Sequence, residues 1–234
     1  TLIYELKGVK KTFNSETVLN VGRLQFHRGT VYGIVGPVGS GKSTLMNILE
    51  GADKESKGTV KYDNISFQTN WFGKVKSNPE IKLFCLDSEL KGNKVSDLFN
   101  NKSADQVLSR YVHNTSWKTL LDRPVNKLSK GEVACMNVAL AIESDPRVLL
   151  IDDYGICFDK DMELEFRKRL NQMNKAQGTT IILSSPHDQH LKLIASVLIY
   201  LDKGHIAKIR TGLGKGSRSK KQHHSKKSGR HNQR

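Results

Sequence analysis

A glycine-rich octapeptide near the N-terminus constrains this chain more than any other feature. It matches the spacing G-x-x-x-x-G-K-[ST] in full and consists of Gly36, Pro37, Val38, Gly39, Ser40, Gly41, Lys42 and Ser43. A run rich in β-branched and aromatic residues, 30–35, precedes it, and residues 43–49 have helical character. A strand, a glycine loop and a helix in this order are the setting of a phosphate-binding loop, whose backbone N–H groups point at phosphate oxygens.

The loop predicts a nucleotide site with a bound Mg²⁺ ion. Lys42 would reach the β- and γ-phosphates as a point charge, and the Ser43 hydroxyl would ligate Mg²⁺. Thr44 belongs to the same predicted set because it lies in the first turn of the helix, whose positive end favours phosphate. A chance glycine-rich turn is the alternative, and the flanking strand and helix argue against it.

A second motif, VLLIDD at 148–153, has the form of a buried strand that ends in two acids. Open α/β sheets bind ligands at the carboxyl ends of their strands. Asp152 would hold Mg²⁺ there, through water, and Asp153 would lie beside an attacking water molecule. A strand that merely ends in a solvated acid pair is the alternative, which the phosphate loop makes less attractive.

The rest of the chain alternates between strand and helix patterns. Strands are predicted at 81–86, 148–151, 179–183, 195–201 and 206–209, and helices at 95–100, 104–111, 133–142 and 161–175. Ser103 is a candidate cap for the helix at 104–111. Runs at 2–6 and 21–26 predict two short strands around a turn at 14–16. We therefore expect an α/β P-loop fold with a mostly parallel central sheet and an antiparallel β edge subdomain.

Charge and cysteine content limit the classes of protein. The chain has 234 residues and a formal charge of +15, and residues 212–234 contain eight Lys or Arg and no acid. Its longest apolar run, 194–201, is far shorter than the ~20 residues of a spanning helix. Cys85, Cys135 and Cys157 are far apart and odd in number, so they predict reduced thiols in a cytoplasmic protein and no disulfide framework or zinc site.

The pentapeptide LSKGE just before the acidic strand narrows the class further. It comprises Ser129, Lys130, Gly131 and Glu132 after a leucine, and it resembles the LSGGQ signature of the ABC ATPase family. The resemblance implies that this set contacts the γ-phosphate of ATP held by another subunit. It covers residues 1 to about 210. The resemblance implies an ABC ATPase domain over 1–210 with a small helical subdomain at about 88–147. The Gly-, Ser-, Lys- and His-rich stretch at 211–234 cannot bury a core, so we predict a basic disordered tail there.

Other family landmarks follow in order. Phe13 stands where the family has an aromatic residue that stacks on adenine, although a plain strand residue is the alternative. Asp159 matches the final acid of the D-loop. His187 follows a buried strand and matches the switch histidine that senses γ-phosphate, and an ordinary loop histidine is the alternative.

Three departures from the family pattern stand out. The catalytic Glu is replaced by Asp153, whose shorter side chain predicts slow hydrolysis. Lys130 replaces the first signature glycine. The Q-loop glutamine is missing: its position falls at Leu86 or Asp87, with Asp87 a possible Mg²⁺ ligand, whereas Gln68 lies too early.

The resemblance implies an ATPase subunit of a membrane transporter, with ATP and Mg²⁺ as cofactors. Two copies, or one copy and a related subunit, would close around ATP, and separate transmembrane subunits would be needed. The protein would lie on the cytoplasmic face of a membrane, where the basic tail could contact anionic lipid. A non-transport ABC ATPase that contacts RNA or the ribosome through the tail is the second hypothesis. A tail that only aids solubility is the third.

Overall fold

An antiparallel sheet formed mainly by the N-terminal hairpin packs beside a larger central sheet in this computed structural model, which describes residues 1–99, 103–112 and 116–213. The antiparallel sheet has the order β2-β1-β4-β5, with β1 at Leu2–Phe13, β2 at Glu16–His27, β4 at Lys57–Tyr62 and β5 at Ile65–Ser66. This sheet is the predicted antiparallel edge subdomain.

The hairpin strands β1 and β2 are longer than predicted. Each has 12 residues, and their pairing continues to Phe13 and Glu16. The turn between them is Asn14-Ser15, both with positive φ, as a two-residue hairpin turn requires. The predicted short strands were wrong in extent because backbone pairing carries the ladder through polar residues up to the turn, beyond the apolar runs that indicated the strands.

The central sheet has six strands in the order β10-β9-β3-β8-β7-β6. Every neighbouring pair is parallel except the antiparallel hairpin β9–β10. The strands are β3 (Val31–Val35), β6 (Ile81–Cys85), β7 (Val148–Asp152), β8 (Thr180–Ser185), β9 (Val197–Asp202) and β10 (His205–Thr211). The predicted α/β fold with a mostly parallel sheet is confirmed.

Helices cover both faces of this sheet. They are α1 (Lys42–Glu50), α2 (Ala104–Tyr111), α3 (Ser116–Leu121), α4 (Lys130–Glu143), α5 (Lys160–Gln177) and α6 (Asp188–Ile194). The buried face of α1 lies in one apolar cluster with residues of both sheets, whereas α2, α4, α5 and α6 contribute to a second cluster on the opposite face. Alternate residues of β7 enter the two clusters, as a strand covered on both faces requires.

Some local predictions differ from the structure. The segment predicted as a helix at 95–100 is a 3₁₀ helix at Val95–Phe99, and its last residue lies outside the described part. Ser103 precedes α2, but its side chain makes no capping hydrogen bond. The short helices α3 and α6 were not predicted because six or seven residues carry too little periodicity to reveal a helix.

The C-terminal end of the described chain is held by β9 and α6. After β10 ends at Thr211, the Gly212 N–H donates to Ser196 O at 2.9 Å and the Leu213 N–H to Lys192 O at 3.0 Å. Residues 214–234 of the predicted basic tail lie outside the described residues. Among the residues described, no helix is both long and apolar enough to cross a membrane.

A network of ion pairs joins the two sheets at the amino ends of the parallel strands. Arg147, just before β7, donates to Glu80 Oε2 and to Asp63 Oδ2, each at 3.1 Å. Asp63 also pairs with Arg28, and the Tyr62 hydroxyl donates to Glu80 at 2.8 Å. Opposite charges are therefore matched at this edge, which we call the amino edge.

Candidate functional site

The glycine loop begins where β3 ends. It lies at the carboxyl ends of the parallel strands, which we call the carboxyl edge of the central sheet. The Gly36 N–H donates to Ser185 O at 3.3 Å, which ties the loop to β8. A Cβ at Gly36 would lie 2.4 Å from Leu201 O, and Gly41 has φ 97° at the cap of α1. Because neither position accepts a side chain, the glycines let the loop close tightly around its own backbone.

Lys42 is folded into this loop and is only 7% exposed. Its Nζ donates to the carbonyls of Gly36 at 2.7 Å and Pro37 at 3.0 Å. Burial lowers the pKa of Lys42, and the nearby carboxylates of Asp153 and Asp152 partly oppose the change. The ammonium therefore has neutral oxygen partners that an anion can replace.

Three other loop residues, Pro37, Val38 and Gly39, are exposed, whereas Ser40 is buried with 2% of its surface exposed. Val38 is 93% exposed, and Ser43 is exposed beside it in the first turn of α1. Thr44 is half-buried. The N–H groups that begin a helix lack partners within the helix, so the loop and α1 present donors to an incoming anion.

The two acids of the VLLIDD motif are held by a serine that the sequence reasoning missed. The Ser184 hydroxyl, at the end of β8, donates to the buried Asp152 carboxylate and accepts from the Asp153 N–H at 3.1 Å. Asp153 has φ 60° and an exposed side chain. One hydroxyl thus holds the carboxylate of Asp152 and the backbone of Asp153, and its only sequence signal was a polar residue at the end of an apolar strand.

Several like charges meet at this carboxyl edge. Burial raises the pKa of Asp153 and so does the Asp152 carboxylate, with Asp87 acting in the same direction and Lys42 against it. The pKa of Cys85 is raised by burial and then by Asp152, its neighbour across the β6–β7 ladder. The edge therefore carries an excess of negative charge that a cation would relieve.

The structure distinguishes the residues considered for the missing glutamine. The Leu86 side chain is buried in the core, whereas Asp87 is exposed. Gln68 lies in the loop after β5, in a groove that Arg147 also lines at the amino edge. Asp87 is therefore the polar side chain that follows β6 on the same edge as Asp152.

These residues fit a magnesium ion bound together with phosphate. Ser43, Asp152 and Asp87 offer oxygen donors, which Mg²⁺ prefers. The described residues contain no cluster of three or more His, Cys, Asp or Glu that could hold a metal by itself. Mg²⁺ commonly uses one or two carboxylates and completes its shell with water and substrate phosphates. Its role here would be to neutralise charge between these acids and the phosphates.

The LSKGE segment forms the N-terminus of α4. Ser129 Oγ accepts from the Glu132 N–H at 3.3 Å, and Glu132 Oε2 accepts from the Ser129 N–H at 2.8 Å, a reciprocal capping box. Burial opposes ionisation of Glu132, but the bonds from Ser129 and the pair with Arg123 at 2.5 Å hold its pKa below its usual value. Lys130 is exposed beside this cap.

Gly131 leaves an open space in the first turn of α4. The nearest atom to a Cβ built there is Cys157 O, at 3.8 Å. Cys157 belongs to the predicted D-loop, which ends at Asp159, the cap of α5, whose Oδ1 accepts from the Met162 N–H at 2.8 Å. The start of α4 and the D-loop therefore form adjoining surfaces of one molecule.

The two remaining predicted residues are both exposed. Phe13 ends β1 with 47% of its surface exposed, and Lys11 Nζ lies 4.7 Å from the centre of its ring. His187 follows β8 at the carboxyl edge and precedes α6, and its side chain makes no capping bond. Both side chains remain accessible to a ligand.

A family model described as ABC transporter matches residues 19–154, more than half of the chain. The chain belongs to this family. The match covers the glycine loop, the LSKGE segment and the acidic strand, and it confirms the resemblance that Ser129–Glu132 indicated. The ABC family assignment also confirms the predicted class of P-loop ATPase.

Characterised relatives cover most of the chain. The tungstate uptake system ATP-binding protein TupC of Peptoclostridium acidaminophilum is 26% identical over 210 residues, which are 86% of this chain and 95% of that protein. The lantibiotic transport ATP-binding protein SrtF of Streptococcus pyogenes is 25% identical over 86% of this chain and 88% of its own. The chain spans 61% of the spermidine/putrescine import ATP-binding protein PotA of Mesoplasma florum, at 26% identity.

Solved structures share the ABC fold. The dimeric bacterial ABC transporter cassette MJ0796 superposes with a TM-score of 0.74 at 20% identity, over 89% of this chain and 98% of its own. CbiO1 of Clostridium perfringens gives 0.71 at 22% identity, over 90% and 88%. At these identities the likeness supports the fold alone.

Proposed function

We propose that this chain binds and hydrolyses ATP as a subunit of a membrane transporter, and that two such subunits close around ATP and Mg²⁺. The observation that carries the proposal is the incomplete site at the carboxyl edge. Lys42, the loop amides and the acids Asp152 and Asp153 lie together at this edge, where they would contact one side of a nucleotide and leave its other side to a second subunit.

The start of α4 supplies the complementary half. Its N-terminus presents Ser129 and an open Gly131 on the surface, and a helix N-terminus attracts phosphate. ATP bound to the loop of one subunit would meet this helix end in the other. ATP would therefore favour the closed pair because its phosphates contact both halves. The facing subunit is a second copy or a related ABC subunit.

Gly131 offers a sharp test of closure. In Gly131→Ala the new methyl group meets no atom of its own chain within 3.8 Å, and alanine is the better helix former by about 1 kcal/mol. The folded monomer should be as stable as before, while the methyl group would obstruct the phosphate of the facing subunit. We expect association driven by a non-hydrolysable ATP analogue and Mg²⁺ to weaken at least about tenfold, or 1.4 kcal/mol.

Sedimentation velocity would measure this association, for the chain alone or with a copurified ABC subunit. Gly22→Ala in β2 is the matched control, because a Cβ there meets nothing within 4 Å. Unchanged association of Gly131→Ala would contradict closure across this helix end.

Asp153 is the proposed catalytic carboxylate, with His187 beside the γ-phosphate. The Asp153 side chain is one methylene shorter than that of glutamate. The water that it polarises would therefore be less well placed, and hydrolysis would be slow. Asp153→Glu should accelerate single-turnover hydrolysis by about tenfold or more. Equal hydrolysis rates for wild type and Asp153→Glu would show that the shorter side chain does not cause slow hydrolysis.

The transporter assignment rests on the relatives, whose names describe uptake, import and transport systems. Their cargoes differ, so we propose the coupling role and no cargo. Separate transmembrane subunits would receive the motion at the cytoplasmic face of the membrane, and the basic tail would add contacts with anionic lipid. Purification of the native complex in detergent should recover membrane proteins, whereas RNase-sensitive ribonucleoprotein would favour the nucleic-acid hypothesis.

A further inference from the structure

One polar side chain is buried in the otherwise apolar middle of α4. Asn137 is 4% exposed and lies among the residues that pack this helix onto the central sheet. Burying an amide is costly unless its hydrogen bonds are satisfied, so the partners of Asn137 indicate what it does.

Those partners are the backbone on either side of Asp87. Asn137 Nδ2 donates to Leu86 O at 3.2 Å and to Ser88 O at 3.0 Å. The turn is closed from within by the Ser88 N–H, which donates to Cys85 O at 3.0 Å. Asp87 is thus the exposed residue between two carbonyls that a single buried amide holds.

The same turn lies beside the acids of the candidate site. Cys85 pairs with Asp152 across the parallel ladder β6–β7, so Asp153 directly after β7 and Asp87 two residues after β6 follow neighbouring strand ends. Asp87 also contributes to the electrostatic environment of Asp153. The turn that carries Asp87 is therefore part of the carboxyl edge, although its anchor lies in α4.

Through α4, Asn137 also connects the turn that carries Asp87 to the signature end of the helix at Ser129. Asn137 lies eight residues after Ser129 on one continuous helix, about 12 Å along its axis. Ser129 faces the nucleotide of the other subunit in the proposed closed pair, and Asp87 faces the metal of its own.

We propose, building on the proposed function, that Asn137 is a positioning residue that clamps the turn carrying Asp87 to α4. The carboxylate near the metal and the signature end of the helix then move as one body. Loss of the amide would leave the two carbonyls without their donor and release Asp87, while the phosphate loop, on a different strand, would keep its shape.

A double-mutant cycle of Asn137→Ala and Asp87→Asn tests the clamp. The readout is Mn²⁺ binding, by electron paramagnetic resonance, to protein saturated with a non-hydrolysable ATP analogue. Removing groups that orient a metal site commonly weakens metal binding about tenfold or more. We expect about that loss for Asn137→Ala, and little further loss when it is added to Asp87→Asn. Affinity for the analogue without metal should stay within about twofold.

Two further variants separate the clamp from general packing. Asn137→Leu keeps about the same side-chain size but has no donor, and should match Asn137→Ala. Val138→Ala removes buried apolar volume from the same helix, and should lower the melting temperature without changing Mn²⁺ affinity. If Asn137→Ala does not fold, Asn137→Ser replaces it in the cycle.

Wild-type Mn²⁺ affinity in Asn137→Ala, or fully multiplicative losses in the double variant, would overturn the clamp alone. A wild-type protein that binds no nucleotide would overturn the proposed function, and the clamp with it.

Discussion

The two edges of the central sheet carry the same kinds of side chain in opposite arrangements. At the amino edge, Arg147 and Arg28 face Asp63 and Glu80, so each charge has an opposite partner. At the carboxyl edge, acids follow β6 and β7, and the nearby lysine donates to backbone carbonyls. The amino edge is matched in charge, whereas the carboxyl edge has an excess of acid.

The difference indicates what each edge is for. Matched charges hold β4 and the parallel strands together and need nothing from solution. The carboxyl edge raises the pKa of Asp153 by burial and by its neighbour Asp152, and burial lowers that of Lys42. Carboxylates and lysines whose pKa is perturbed by burial and by specific charged neighbours cluster at functional sites. We therefore expect changes at one edge to affect ligand binding and changes at the other to affect stability.

The largest expected effect is a loss of ATP affinity in Lys42→Ala with little change in stability. Lys42→Ala removes the charged donor, and two charge-assisted bonds to phosphate together correspond to about a hundredfold or more in ATP affinity. Its two bonds within the loop offset the cost of burying its charge, so the melting temperature should change by no more than about 4 °C. Titration calorimetry and thermal melting measure the two quantities. The exposed Lys91→Ala is the control, and retained ATP binding in Lys42→Ala would overturn the site assignment.

The next largest effect is a loss of ATP hydrolysis when the Ser184 hydroxyl, which holds Asp152 and the backbone of Asp153, is removed. Ser184→Ala leaves the buried Asp152 carboxylate without its donor and the Asp153 N–H without its acceptor. Loss of such a buried bond is worth about 1–3 kcal/mol, so ATP hydrolysis should fall about tenfold. Stopped-flow detection of phosphate gives the rate. Ser144→Ala, at the end of α4, removes a hydroxyl bond to Ala141 O and should leave hydrolysis unchanged; equal losses in both variants would refute a local role.

Arg147→Ala tests the amino edge. It removes two partly exposed ion pairs and the contact with the Tyr62 ring, together worth about 1–2 kcal/mol after allowance for solvent screening. The melting temperature should fall by about 3–6 °C, with ATP affinity unchanged. Lys94→Ala breaks a single exposed pair and should have a much smaller effect. A loss of ATP affinity in Arg147→Ala would show that the amino edge also contributes to ATP binding and would contradict the division between the two edges.

The smallest effect is a pH dependence at Asp153. A carboxyl whose pKa is raised in the folded state stabilises the protein below its unfolded pKa of about 3.9 and loses that contribution as pH rises. Asp153→Asn should therefore raise the melting temperature slightly at pH 7, by about 1–2 °C. The gain should shrink as pH falls and vanish below about pH 3.9, where Asp153 is protonated in both the folded and the unfolded wild type. Melting curves across this range would contradict the sign if the gain grew in acid.

Short motifs made much of the site predictable from the sequence. The loop, the acid pair and the capped helix start are contiguous stretches, and each carries its own geometry. The alternation of strand and helix patterns was enough to predict a mostly parallel sheet, because crossover connections leave few other arrangements.

Partners that meet through tertiary structure were not predictable. Ser184 lies 32 residues from Asp152, and Asn137 lies about 50 residues from the turn that it holds. Nothing in the pattern of α4 shows where its polar residue points. The choice between Leu86 and Asp87 likewise required burial, because both follow the same strand and only the structure separates core from surface.

A crystal structure with Mg²⁺ and a non-hydrolysable ATP analogue tests the central claim most directly. The proposed function predicts that Lys42 Nζ leaves the carbonyls of Gly36 and Pro37 for the phosphates. It also predicts that Ser129 of a facing subunit lies at the γ-phosphate. A loop that stays empty, or an α4 N-terminus that lies away from any contact between subunits, would contradict it.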